Sequence, residues 1–133
     1  MERWLSKHSE VVYGIFRIVV GFLFACHGAQ KLFGMFGGLG APSTSMIVAA
    51  GIIEFLGGVL VALGLWAGYA GFIASGQMAV AYFMMHASGG FWPIANKGEL
   101  AVLYCFAFLY IASRGSGRLS IEALARKQRA IEH

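Results

Sequence analysis

Aspartate is absent from this chain, and charge of either sign is scarce: ten Lys and Arg and six Glu among 133 residues, 12% in all. A soluble domain carries about a quarter charged residues, so water is not the medium for most of this surface. Cysteine occurs twice, as Cys26 and Cys105, with no Cys-x-x-Cys spacing. That excludes the usual dithiol redox design, and both thiols read as small buried side chains. No His-x-x-x-His or Glu-x-x-His pair stands in any run, so no metal site is expected. No cofactor-binding fingerprint is present either, and an electron-transfer centre would have to come from a partner. Strict alternation of apolar and polar residues is missing too, which excludes a transmembrane β-barrel.

What the chain has instead is apolar length. It is 59% hydrophobic, with runs at 11–29, 45–65, 67–85 and 100–113. Three of these approach the roughly 20 residues that cross a bilayer, and the fourth is short but bordered by aromatics. The expected fold is all-α: a single domain over 1–133, an integral membrane four-helix transmembrane bundle with spans at 11–31, 45–65, 67–86 and 98–113. "LFAC" at the end of the first run resembles a lipoprotein signal, but Arg17 splits the apolar stretch that a signal needs.

Outer loops are expected at "FGMFGGLGAPSTS", where Pro42 precedes the second span, and at "ASGGFWPIANKGE". Trp66, Tyr69, Tyr13 and Tyr110 would form an interfacial aromatic belt. After "RGSG", with Ser120 as N-cap, residues 118–131 form an amphipathic helix. Ile121, Leu124, Ala125 and Ile131 lie opposite Arg126, Lys127 and Arg129. Such a helix either lies on the inner membrane surface or is a solvated tail. Arg3 and Lys7 at one terminus, and five Lys and Arg from Arg114 to Arg129 near the other, place both termini in the cytoplasm. The net charge of +4 therefore describes contact with an anionic leaflet of a bacterial or archaeal cytoplasmic (inner) membrane, not with nucleic acid.

Small residues recur at heptad spacing, Gly14, Gly21 and Gly28, and again as Gly51, Gly57, Gly58 and Gly64; such stripes let membrane helices approach closely. Arg17 and Glu54 lie inside apolar runs, where an unpaired charge costs at least ~2.5 kcal/mol. They are expected to pair, either fixing helix register or handling a proton or ligand directly. Gln77 is a further interhelical hydrogen-bonding residue.

His27 and Lys31 share a face at the outer end of the first span, and His86 ends the third at comparable depth. Gln30, Asn96, Lys97 and Glu99 approach the same level. With Trp92 and Phe91 they outline a polar pocket with aromatic walls. A quinone headgroup suits it: imidazole and ammonium donate to carbonyls and rings stack on it. Alternatively these histidines are interfacial side chains with ordinary hydrogen bonds. Axial haem ligation by the two histidines is conceivable chemistry that no spacing requires.

"RIVVGFLFACHGAQKLFGMFGG" (17–38), "IIEFLGGVLVALGL" (52–65), "GGFWPIANKGELAVLY" (89–104) and "GSGRLSIEAL" (115–124) together resemble the DoxX family of small bacterial membrane proteins. The resemblance implies four transmembrane helices and a polar pattern comprising Arg17, His27, Gly28, Lys31, Glu54, His86 and Glu99. Members include the small subunit of an archaeal thiosulfate:quinone oxidoreductase. This chain has "GSG" where "GPG" is common in the family.

Two functions compete. One is a membrane subunit of a quinone-linked oxidoreductase. Its pocket near the outer leaflet would use His27, Lys31, His86 and Trp92, with Glu54 or Glu99 exchanging protons and a redox partner subunit alongside. The other is a non-enzymatic small transporter, assembly factor or membrane anchor, possible as a homo-oligomer in the lipid bilayer, with Arg17 and Glu54 setting its packing. A family resemblance alone does not decide between them.

Overall fold

The computed structural model describes residues 1–39 and 43–133; the expected role of Pro42 falls outside these. Every regular element among the described residues is helical. A short α1 (Glu2–Lys7) leads into α2 (Ser9–Phe33), which stops at Gly34 with φ +65. Glycine takes that left-handed turn at no steric cost. After a 3-10 turn at Met35–Gly37, α3 (Ser45–Leu63) starts where Thr44 accepts from the Ile47 amide. It ends at Gly64, where the Leu65 amide reaches back to the Leu60 carbonyl. Next, α4 (Ala67–Ala81) continues through a π turn, Tyr82–His86. A one-turn α5 (Pro93–Asn96) precedes α6 (Glu99–Arg114), and α7 (Ile121–Glu132) closes the chain. The helices coincide with the apolar runs. α1, the π turn and α5 have no counterpart in the periodicity, being too short to show one.

Antiparallel α2 and α3 meet backbone to backbone. A Cβ on Gly21 would lie 2.5 Å from the Ala62 nitrogen, one on Gly28 2.3 Å from that of Phe55, and one on Gly58 2.4 Å from that of Ala25. The glycine stripes thus set this interface, as close small-residue packing does in membranes. Three positions behave otherwise: Gly57 faces open space, and Gly14 and Gly64 meet Leu119 and Ser120 in the α6–α7 connection. α3 also contacts α4, and α4 runs along α6. Phe24 of α2 then closes the core against Phe108 and Tyr104 of α6, at 4.5 and 5.4 Å between ring centroids.

The outside is as apolar as the inside. Phe22, Phe72, Phe83 and Phe106 are all well exposed, an area that no soluble monomer leaves in water. By length and composition, α2 and α3 are long enough to cross a membrane; α4 and α6 have 15 and 16 residues. The expected aromatic belt needs one correction. Trp66, Tyr69 and Tyr110 are exposed, but Tyr13 is buried, donating to the Gly115 carbonyl at 2.6 Å beneath the Arg114 guanidinium. The polar tip of a buried tyrosine needs a partner, and the α6–α7 turn supplies it.

Candidate functional site

Helical side chains lean toward the N-terminus of their own helix. Because α2 and α3 are antiparallel, Lys31 leans inward and Glu54 leans outward, so the two converge beside the Gly28–Gly51 contact. The Lys31 ammonium donates to Glu54 Oε1 as an ion pair. Gln77, arriving from α4, donates its Nε2 to the same oxygen at 3.0 Å. Glu54 is 2% exposed and Lys31 22%, so Lys31 covers the carboxylate from the side nearer the surface. Two oxygens in this centre, Glu54 Oε2 and Gln77 Oε1, are buried with no donor among the described residues. A buried polar atom without a partner costs about 1–3 kcal/mol, and functional centres are where such costs are tolerated.

His27, one turn before Lys31, stands edge-on to Tyr104 of α6 at 5.9 Å. Side chains of α2, α3 and α4 therefore meet at the Glu54 carboxylate, and α6 reaches the same face of α2 through Tyr104. Nothing within an apolar run marks which tyrosine faces inward, so Tyr104 carries no signal in the sequence.

Arg17 does not pair with Glu54. The α2–α3 register sets it against Gly64, ten residues along α3 from Glu54. That is a rise of about 15 Å, beyond an arginine's reach. Arg17 instead leans the other way and donates to four carbonyls: Val61 at 2.8 Å, Ala62 at 3.3 Å, Leu119 at 2.8 Å, and Ser116. Two of these belong to the last turn of α3, where orphan carbonyls and the negative helix end attract a cation. Arg17 is a buried clasp on the α3 terminus and the α6–α7 connection. Sequence exposed the cost of both charges but not their partners.

The polar residues around the α2 end and the α5 loop have partners of their own. His86 Nδ1 lies 3.2 Å from the Asn96 carbonyl, and its ring stacks near Tyr82. Asn96 in turn donates to the Tyr82 hydroxyl and the Gly90 carbonyl, so His86 belongs to the network that shapes its own loop. Trp92 is 68% exposed and meets Phe91 edge-on, and so does not wall a pocket with His27. Glu99 begins α6 and is exposed. Gln30 ties the end of α2 to Gly38 at 3.1 Å. Among the described residues no cluster of three or more His, Cys, Asp or Glu could hold a metal ion.

An α-helical fold with an apolar exterior and two helices long and apolar enough to cross a bilayer defines a class, the helical membrane protein,. The chain belongs to the DoxX family, whose profile matches residues 13–87. It is 42% identical over 125 residues to an uncharacterized protein of Haemophilus influenzae, covering 89% of this chain and 93% of the relative. It is also 28% identical over 129 residues to a Bacillus subtilis protein named "Putative oxidoreductase CatD", covering 92% and 93%. No solved structure matches the chain.

Proposed function

We propose that this DoxX-family protein is a membrane subunit of a quinone-linked oxidoreductase, with Glu54 as its proton-exchanging carboxylate. The observation that carries this reading is the pair of donorless oxygens, Glu54 Oε2 and Gln77 Oε1, beneath Lys31. A buried acceptor without a donor suits a ligand that brings a hydroxyl proton, and a quinol, when bound, would present one of its two hydroxyls to Glu54 Oε2. Lys31 orients the carboxylate and covers it. Gln77 holds it from the other side, and Glu54 Oε2 is the atom that takes or gives the proton. His27, one turn before Lys31 on the same face of α2, is the residue that would hold a quinol oxygen beside it. The oxidoreductase name of the Bacillus subtilis relative agrees with this chemistry; electrons would pass to a partner subunit.

In this reading α2, α3, α4 with its π turn, and α6 all span the inner membrane, with both termini cytoplasmic. Charge asymmetry supports that orientation. Lys31 is neutralised by Glu54, which leaves Lys97 as the unpaired cation at the outer end among the described residues.

The near-complete burial of Glu54 also fits a second reading, a non-enzymatic anchor or assembly factor whose ion pair fixes helix register. One experiment separates them: titrate the purified protein, and its Glu54→Gln and His27→Ala variants, with a short-chain quinol. The oxidoreductase reading expects saturable binding that both variants weaken. No binding, with host quinone-linked respiration fully supported by both variants, would leave the anchor.

A further inference from the structure

At the end of the bundle that carries both termini lies a cavity of about 530 Å³ between the first turn of α4, the end of α6 and the start of α7. Its charged lining is Glu10, Arg114, Arg118, Glu122 and Arg126. Arg114 is held by Glu10 at 2.5 Å, and Arg126 by Glu122 at 2.6 Å. Arg118 is exposed and has no ion-pair partner among the described residues, so the lining keeps one uncompensated positive charge.

A second, apolar groove of about 590 Å³ adjoins it, lined by Gly68, Tyr69, Phe72, Ile73 and Ala112. Gly68 and Tyr69 line both spaces, so the polar cavity runs directly into the groove along the α4–α6 face. Gly68 leaves this junction unfilled, since a Cβ there would sit in contact with the Ala112 carbonyl oxygen at 3.5 Å.

The geometry points to a binding site for one anionic phospholipid, its phosphodiester beside Arg118 and an acyl chain laid along Phe72 and Ile73. This goes beyond the quinone reading and needs only that the chain sits in a membrane. Three features select that occupant. The surplus charge of the lining matches the single negative charge of a lipid such as phosphatidylglycerol, whereas a zwitterionic lipid brings none. The groove continues from the cavity on the exposed face of α4, where a tail would lie. Trp66 and Tyr69 at the mouth are exposed aromatics of the kind that settle at headgroup level.

Native mass spectrometry of the full-length protein in mild detergent tests this, with dioleoyl-phosphatidylglycerol, dioleoyl-phosphatidylcholine and inorganic phosphate as separate probes. The expected result is one retained phosphatidylglycerol, held about fivefold more tightly than phosphatidylcholine, the ratio that about 1 kcal/mol for the one uncompensated arginine gives. Arg118→Gln should remove that preference, and Phe72→Ala should weaken both lipids equally. Four results would overturn the assignment: equal retention of the two lipids, an unchanged ratio in Arg118→Gln, unchanged retention in Phe72→Ala, or inorganic phosphate bound as tightly as the lipid. A lipid-free dimer occupying the groove would overturn it as well.

Discussion

Lys31 on α2 and Glu54 on α3 form an ion pair across the glycine-lined α2–α3 contact, with Gln77 as the carboxylate's second donor. Removing one partner of a buried pair leaves the other uncompensated. Lys31→Met should therefore lower stability by about 3–5 kcal/mol. Replacing both at once, as Lys31→Met with Glu54→Leu, should restore most of that loss. Unfolding in a denaturing detergent titration reads both.

The glycine interface makes a sharper contrast. Gly28→Ala drives a methyl group to 2.3 Å from the Phe55 nitrogen, so the helices must separate, at about 1–3 kcal/mol. Gly57→Ala points into open space and should stay within about 0.5 kcal/mol of the parent. Thermal melts of the two variants in one detergent compare them directly.

Arg17 clasps four carbonyls that a lysine cannot reach in the same fork,. Arg17→Lys should free the Ser116 and Leu119 carbonyls and loosen the α6–α7 connection. The expected outcome is faster tryptic cleavage after Arg114 and Arg118, with the α2–α3 interface still intact.

Ser116 stands where a turn joins three helices. Its hydroxyl accepts from the Ala67 amide at 3.3 Å and donates to Glu122 at 2.6 Å. That hydrogen bond first, and the Arg126 guanidinium after it, hold the Glu122 carboxyl below its ordinary value of 4.5. A carboxyl lowered in the folded state stabilises fully above its unfolded value and loses that contribution as pH falls through the lowered one. Docking of the α7 start should thus weaken on acidification below about 4.5, followed as rising cleavage near Leu119 by an acid-active aspartic protease. Glu122→Gln should flatten that pH dependence.

The resemblance to a DoxX protein was legible in ordered stretches of sequence, as was the helical character of each apolar run. The Ser120 cap was legible too: its hydroxyl accepts from the Ala123 amide at 3.1 Å. Less legible was direction. Arg17 and Glu54 each advertised a buried charge, yet pairing them required knowing how two antiparallel helices are offset. His27 and His86 reached similar depths by counting residues, but depth along a helix does not set azimuth around the bundle.

Composition and periodicity alone determined that this chain is apolar and helical, because scarce charge and unbroken apolar runs leave water no role as its main solvent. Only the tertiary structure decided who partners whom. Glycine contacts set the α2–α3 offset to within a turn, and each side chain leans toward the start of its own helix. Those two constraints send Lys31 to Glu54 and Arg17 to the carbonyls at the other end, an outcome that no local pattern of residues encodes.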